Sequence, residues 1–151
     1  MAYPTKNFSS TQIAFDAQVV GAKASMESMR VAMAAGNVPV GRLLALRRGS
    51  IALHGAITAH KDVVANTAGF AAFVAADKGV TVPALSTAVN DLLTAVAAVK
   101  TAVDAALPVG TGGYLLIYQL SAGTDLIDRM FTSVETASLQ TALATVVAAI
   151  G

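Results

Sequence analysis

Residues 85–106 read LSTAVNDLLTAVAAVKTAVDAA and carry the clearest periodicity in the chain. Apolar residues recur there at alternating intervals of four and three, at Leu85, Val89, Leu92, Val96, Val99, Val103 and Ala106. This spacing is typical of a helix that packs one apolar stripe against other helices. Thr81 can cap its amino-terminal end, Pro83 suits the first turn, and Pro108 stops the helix. The stretch predicts one long, buried helix.

Two further long helices are predicted before this one. In the first, the apolar stripe consists of Phe15, Val19, Ala22, Met26, Met29 and Met33. Gly36 followed by Pro39 predicts where that helix ends. The second spans about residues 40–77 and has its own stripe from Leu53 onward. Gly49 and Ser50 leave open whether residues 39–48 form a separate short helix. Helices that share this period pack at shallow angles, so the sequence predicts an antiparallel helical bundle.

The carboxy-terminal part changes character. Residues 109–113 (VGTGG) predict a flexible loop, and residues 114–120 (YLLIYQL) predict a strand rich in aromatic and branched side chains. After a turn, residues 126–131 predict a weaker partner strand and thus a β-hairpin. Thr132 and Glu135 fit a capping box. A short closing helix follows, with its stripe at Leu139, Leu143, Val146 and Ile150.

The predicted fold is therefore mainly α. It consists of three long helices in an antiparallel bundle, one β-hairpin and a short carboxy-terminal helix. We interpret residues 1–151 as a single domain. Residues 1–108 form the helical bundle, residues 109–133 the glycine-rich loop and hairpin, and residues 134–151 the closing helix.

The composition favours a protein that assembles. Hydrophobic residues make up 55% of the chain and charged residues only 13%, against about 25% in a typical globular domain. A surface with few charges suits burial against other subunits, although an ordinary monomer with a Ser/Thr/Ala surface is the alternative. The net charge of +1 argues against a nucleic-acid or anionic-membrane partner. The chain also begins without the order of residues found in a secretory signal.

The hairpin is the sharpest predicted protein interface. Its first strand is apolar on both faces, so one face can cover the bundle while the other contacts a second chain. The residues on this second face are Tyr114, Leu116, Tyr118 and Leu120. A fully self-packed hairpin is the alternative. Arg47 and Arg48, with Arg42 nearby, form the one basic cluster in the sequence. We interpret it as an exposed helix turn or an inter-subunit salt-bridge site.

No arrangement of residues in the sequence predicts catalysis. His54 and His60 are separated by about 240° around a helix and cannot share a metal ion as i,i+4 histidines do. Asp125 and Asp128 have no partner base, and the glycines of residues 110–113 precede a strand rather than a helix. The chain contains no cysteine. We therefore expect a protein that is not an enzyme and has no cofactor, metal or catalytic residues.

The carboxy-terminal third resembles a group of known proteins. An Ala/Val-rich helix is followed by residues 112–117 (GGYLLI), a polar turn, residues 129–132 (RMFT) and residues 137–143 (ASLQTAL). This order resembles small structural proteins encoded by tailed bacteriophages. The resemblance implies a virion component in the tail, baseplate, neck or capsid surface, made in the host cytoplasm. Its expected partners are further copies of itself and other virion proteins.

A second function remains open from the residues alone. Met26, Met29 and Met33 could line an internal cavity together with Phe70 or Phe73, because thioethers adapt to irregular partners. The protein would then be a helical binding module for an apolar ligand or a partner helix. At this regular spacing, methionines more often belong to the core.

Replacing Tyr118 by Asp tests the hairpin hypothesis. A carboxylate within an apolar contact is desolvated without a partner, so we expect the variant to lose assembly. Its helicity by circular dichroism should stay close to that of the wild type, because the substitution lies outside the predicted helices. Assembly equal to that of the wild type would contradict a role for this face.

Overall fold

The computed structural model describes residues 13–66, 72, 75, 76, 79–107 and 130–151. Its helices are α1 (Ile13–Ala35), α2 (Val40–Asn66), α3 (Val82–Ala106) and α4 (Ala137–Ile150). Two short strands, β1 (Val38–Pro39) and β2 (Met130–Phe131), pair antiparallel. The prediction of a mainly helical chain with a small β element is thereby confirmed. The predicted strand at residues 114–120 lies outside the described residues.

Local hydrogen bonds set the helix ends where the sequence predicts them. α1 ends before Gly36, which adopts a φ of 85° and donates its N–H to the Met33 carbonyl at 3.0 Å. A φ in this range strains a side-chain-bearing residue, so glycine suits the position. At the start of α3, the Thr81 hydroxyl accepts a hydrogen bond from the Ala84 N–H at 3.4 Å. Leu107 ends α3 ahead of the proline.

α2 runs without a break through Gly49 and Ser50, so residues 39–48 do not form a separate helix. The Ser50 side chain is almost completely buried and donates to the Leu46 carbonyl at 2.8 Å. This bond satisfies the hydroxyl within the helix, so the serine needs neither solvent nor a helix end. Tertiary burial therefore overrides the low helix propensity of this pair.

Met130 and Phe131, at the end of the predicted second hairpin strand, form β2, which pairs with β1. The predicted pairing with residues 114–120 lies outside the described residues. Phe131 pairs with Val38, and Met130 pairs with Pro39. The contact thus joins the α1–α2 connection to the segment that leads into α4. Phe131 is fully buried there. The sequence predicts no strand at residues 38–39, because two residues are too few for a strand pattern.

The predicted capping box forms just before α4. The Glu135 N–H donates to the Thr132 hydroxyl at 3.2 Å, and the Thr132 N–H donates to the Glu135 carboxylate at 3.2 Å. Regular helix begins at Ala137, after a turn in which Thr136 is fully buried. The Gln140 side-chain amide donates to the Ser133 carbonyl and the Thr136 hydroxyl. These bonds tie the turn to the first part of α4.

The apolar stripes of the described helices form one core. Their fully or almost fully buried members are Val19, Met26, Met33, Leu53, Ile57, Leu85, Val89, Leu92, Val96, Val99, Val103, Leu139, Leu143, Val146 and Ile150. α3 packs against both α2 and α4, and α4 also packs against α1. α1 and α2 touch each other only sparsely, although a short connection joins them. This leaves a groove between α1 and α2.

Met33→Ala measures the contribution of the methionine stripe to the core. Met33 is fully buried, so its truncation should lower the free energy of unfolding by about 2–5 kcal/mol. Met29 is half-buried, and Met29→Ala should cost clearly less, because solvent already reaches its side chain. Chemical denaturation followed by circular dichroism measures both values. Equal losses would contradict the difference in burial.

Candidate functional site

The exposed residues of α4, and those of α3 from residue 92 onward, are of three small types. Each of them is Ala, Ser or Thr. We call this surface the Ala/Thr face. Its members are Thr94, Ala97, Ala98, Thr101, Ala105, Ala137, Ser138, Thr141, Ala144, Thr145 and Ala148. A shallow groove of about 620 Å³ runs along it between the two helices.

The threonine hydroxyls of the Ala/Thr face are bonded within their own helices. Thr94 donates to the Asn90 carbonyl at 3.0 Å, and Thr101 donates to the Ala97 carbonyl at 3.2 Å. On α4, Thr141 and Thr145 make the corresponding i−4 bonds at 3.2 and 3.0 Å. The donors therefore need no water, and the threonines add methyl groups to those of the alanines. The face is chemically more apolar than its residue names suggest.

A second surface is the groove between α1 and α2, with a volume of about 440 Å³. Met26, Leu46 and Leu53 lie at its base, and Met29 lines one side. The other described lining residues are small or uncharged: Gln18, Gly21, Ala22, Ser25, Ala45, Gly49 and Ala52. The groove can therefore take an uncharged, apolar occupant.

Two glycines stand in the walls of this groove. Gly21 and Gly49 lie within helices, where glycine costs roughly 1 kcal/mol relative to alanine. Neither residue has a positive φ, and a Cβ atom at either position would meet no atom within 4 Å. Packing within the described chain therefore gives no reason for glycine at these two positions.

An ion-pair cluster links α2 to α3 beside the core. The Arg47 Nε donates to one carboxylate oxygen of Asp104 at 2.7 Å, and the Lys100 Nζ donates to the other at 3.0 Å. Desolvation by burial raises the pKa of Asp104. The hydrogen bonds and positive charges of Arg47 and Lys100 outweigh this effect, so the pKa lies below its ordinary value. The cluster fixes the start of α2 beside the end of α3.

Of the six residues predicted for an interface, the structure describes two, Arg47 and Arg48. Arg47 forms its ion pair within the chain, and its side chain is only 13% exposed. Arg48 follows it on α2 and is exposed. Outside the described residues lie the four hairpin residues Tyr114, Leu116, Tyr118 and Leu120. The phenylalanines proposed to line a cavity, Phe70 and Phe73, also lie outside them.

Sequence reasoning did not identify the Ala/Thr face. The available signal was the absence of Asp, Glu, Lys and Arg from residues 136–151. On a helical wheel, the positions opposite the stripe of Leu139 and Leu143 are all Ala, Ser or Thr. This pattern indicates an uncharged outer surface once the buried side of the helix is known.

His54 is half-buried and lines a cleft of about 420 Å³ between α2 and α3, together with Lys100 and Ser50. Among the residues that the structure describes, no group of three or more His, Asp or Glu could hold a metal ion. Of the helices in this part of the chain, none combines the length and apolarity needed to cross a membrane.

Comparison of the chain with protein-family models, with curated proteins and with solved structures found no match.

Asp104→Asn tests the ion-pair cluster. Loss of the carboxylate leaves Arg47 partly buried with a weaker partner, so the free energy of unfolding at pH 7 should fall by about 1–3 kcal/mol. The pKa of Asp104 is lower in the folded state than its ordinary value of 3.8. The carboxylate therefore makes its full contribution to the free energy of unfolding when the pH is well above 3.8. The contribution is then lost as the pH falls from there through the folded-state value.

Urea denaturation at several pH values measures this effect. The difference in stability between the wild type and Asp104→Asn should shrink below about pH 4. Glu27→Gln is the matched control, because Glu27 pairs with Arg30 on the surface of a single helix. We expect it to change stability much less, since solvent screens that pair. A difference for Asp104→Asn that does not depend on pH would contradict the electrostatic interpretation.

Proposed function

We propose that the protein is a non-enzymatic structural protein that assembles through contacts between its own copies. The observation that carries this proposal is the Ala/Thr face of α3 and α4. We further propose that the helices form one antiparallel bundle, which acts as a rigid support for this face. The ion pair between Arg47 and Asp104 supports the antiparallel arrangement, because it brings the start of α2 to the end of α3.

The chemistry of the Ala/Thr face suits contact with protein. Charged residues are depleted at the centre of protein interfaces, because a charge that loses its water must be paired. The eleven members of this face carry no charge, and its described threonine donors are satisfied within the helices. The Lys100 side chain, which is 41% exposed and pairs with Asp104, borders the face beside Ala97 and Thr101. Burying the face would therefore cost little desolvation. Val134, which is 83% exposed in the turn that leads into α4, adds a larger apolar side chain nearby.

Contact with identical copies is electrostatically permissible on this face. Two surfaces of the same sign repel each other when like subunits meet, but an uncharged surface avoids this repulsion. Small side chains also let helix backbones approach closely, which increases the number of van der Waals contacts. The chain as a whole also has few charged residues, which keeps charge repulsion between copies weak.

We place this structural role in a tailed-bacteriophage particle, in the tail, baseplate, neck or capsid surface. The support is the resemblance of the carboxy-terminal third to small phage structural proteins. Virion proteins are present in many copies and work through repeated contacts, which matches the chemistry of the Ala/Thr face. Other virion proteins are then the second class of partner. The hairpin residues Tyr114, Leu116, Tyr118 and Leu120, with exposed Arg48, are candidates for those contacts.

The second candidate function is a helical binding module for an apolar ligand or a partner helix. The groove between α1 and α2 favours it, because Met26 and Met29 line an apolar space of suitable volume. A protein that serves this function remains a monomer and is stabilised by its ligand. An apolar dye or fatty acid that raises the melting temperature of a monomer would support this second function over assembly.

Native mass and one charged substitution test the proposed function. Light scattering coupled to size exclusion should show a mass that rises with concentration to that of an oligomer. Ala144→Glu puts a carboxylate in the middle of the Ala/Thr face and should raise the half-assembly concentration at least ~30-fold, as expected for a hot spot. The matched control is Ala24→Glu, which adds the same charge to an exposed position on α1.

The two variants and the wild type separate the possible outcomes. Both substitutions lie on exposed helix positions, so both variants should keep the helicity of the wild type. Loss of assembly in Ala144→Glu alone would support the Ala/Thr face as the contact. A wild type that stays monomeric at every concentration would contradict assembly through its own copies.

A further inference from the structure

The cleft between α2 and α3, with a volume of about 420 Å³, has apolar lining residues on both helices. Ile51 lines it from α2, and Val96 and Ala97 line it from α3. Along α3 the lining extends from Val96 to Thr101, which corresponds to about 7.5 Å at the rise of an α-helix. A space of this length and chemistry can take a short aliphatic chain.

Two side chains in the cleft have hydrogen-bond donors that are free to bind a ligand. The Lys100 ammonium has three N–H groups, and its bond to Asp104 at 3.0 Å uses one of them. The His54 imidazole donates to none of the described residues. The Ser50 and Thr101 hydroxyls also line the cleft, but each donates to a backbone carbonyl of its own helix. Lys100 and His54 are therefore the donors that the described lining offers to a ligand.

These two donors lie near each other along the cleft. The ion pair of Arg47 with Asp104 provides a common reference point on α2 and α3. His54 comes seven residues after Arg47, and Lys100 comes four residues before Asp104. Because both line the same cleft on one side of that ion pair, their positions differ by about 4.5 Å along the helices. A single carboxylate can therefore accept a hydrogen bond from each.

The charges beside the cleft select an anion. Arg47 and Lys100 carry two positive charges, and Asp104, to which both are bonded, carries one negative charge. None of the described lining residues is acidic, so one positive charge of this group is left without a partner. A ligand with one negative charge balances it, whereas a dianion would bring a second charge that the cleft does not match. A carboxylate also suits the two donors, because it accepts hydrogen bonds and donates none.

We propose that this cleft binds a small molecule that consists of one carboxylate and a short aliphatic chain. The carboxylate accepts hydrogen bonds from Lys100 and His54, and the chain lies against Ile51, Val96 and Ala97. The bond from Lys100 joins two charged groups and is the stronger of the two, so it provides most of the selectivity for an anion. The site needs no second copy of the chain, so this inference is independent of the proposed function.

Hexanoate is the probe for this site, and 1-hexanol is the uncharged control with the same chain length. Calorimetric titration of the full chain should show saturable binding of hexanoate, and the NMR signals of the His54 imidazole should shift along the same binding curve. Binding of 1-hexanol should be at least ~10-fold weaker, because it lacks the charged hydrogen bonds. Acetate and inorganic phosphate should also bind at least ~10-fold more weakly, because they bury no aliphatic chain.

Four variants test the residues that hold the carboxylate. Lys100→Gln removes the positive charge and should weaken hexanoate binding at least ~10-fold, whereas Lys100→Arg keeps the charge and should stay within about 3-fold of the wild type. His54→Phe keeps a ring but removes its N–H, and should weaken binding about 5-fold. Lys23→Gln is the matched control, because it removes a lysine of α1 that does not line the cleft. Circular dichroism checks that each variant keeps the fold.

Several results would overturn the proposal. The first is the absence of hexanoate binding. The second is equal binding of hexanoate and 1-hexanol, or binding that is unchanged in folded Lys100→Gln and His54→Phe, because the chain would then bind elsewhere, as in the uncharged groove between α1 and α2. The third is binding of acetate or phosphate as strong as that of hexanoate, which would show an anion site without a place for the chain. The proposed function stands or falls separately, by the native mass of the protein.

Discussion

The burial of α3 is the interaction on which the rest of the structure depends. Its apolar stripe, including Leu85, Leu92 and Val99, is fully buried except for half-buried Ala106, and α3 packs against both α2 and α4. Each such side chain contributes about 1.5–3 kcal/mol when it is removed from water. α1 joins this core through α4 and has little contact with α2. The groove between α1 and α2 therefore follows from the way the helices are arranged around α3.

The small residues that permit this close packing also provide the exposed residues of α4 and of α3 from residue 92 onward. Alanine lets helices come close, but on the outside it provides neither charge nor a hydrogen bond. Threonine adds little polarity where its hydroxyl is bonded to the carbonyl four residues earlier, as in Thr94 and Thr145. Among the described residues, Arg47 and Lys100 pair with Asp104, and Arg30 pairs with Glu27. A molecule of this kind has an outer face suited to contact with protein, which is the basis of the proposed structural role.

Much of the helical fold could be predicted from the sequence, because the signals are local. The alternation of four and three residues depends only on helix geometry, and the predicted stripe members Val89, Val103 and Leu143 are fully buried. The caps at Thr81 and Thr132 depend on hydrogen bonds within a few residues. The continuity of α2 could not be predicted, because Ser50 is buried by residues distant in sequence. The β1–β2 pair could not be predicted either, because it joins residue 38 to residue 131, which are far apart in the chain.

Some features of the candidate site are also determined by the sequence alone, and others are decided only by the tertiary structure. The sequence by itself determined that α4 has no charged residue and that glycines occur within α1 and α2. Helix periodicity also determined which side of each helix is apolar. Only the tertiary structure decided that α1 and α2 stand apart, that Gly21 and Gly49 face open space, and that Arg47 is held by Asp104. The physical reason is that periodicity specifies the buried side of a helix, whereas its neighbours are selected by packing among residues far apart in the chain.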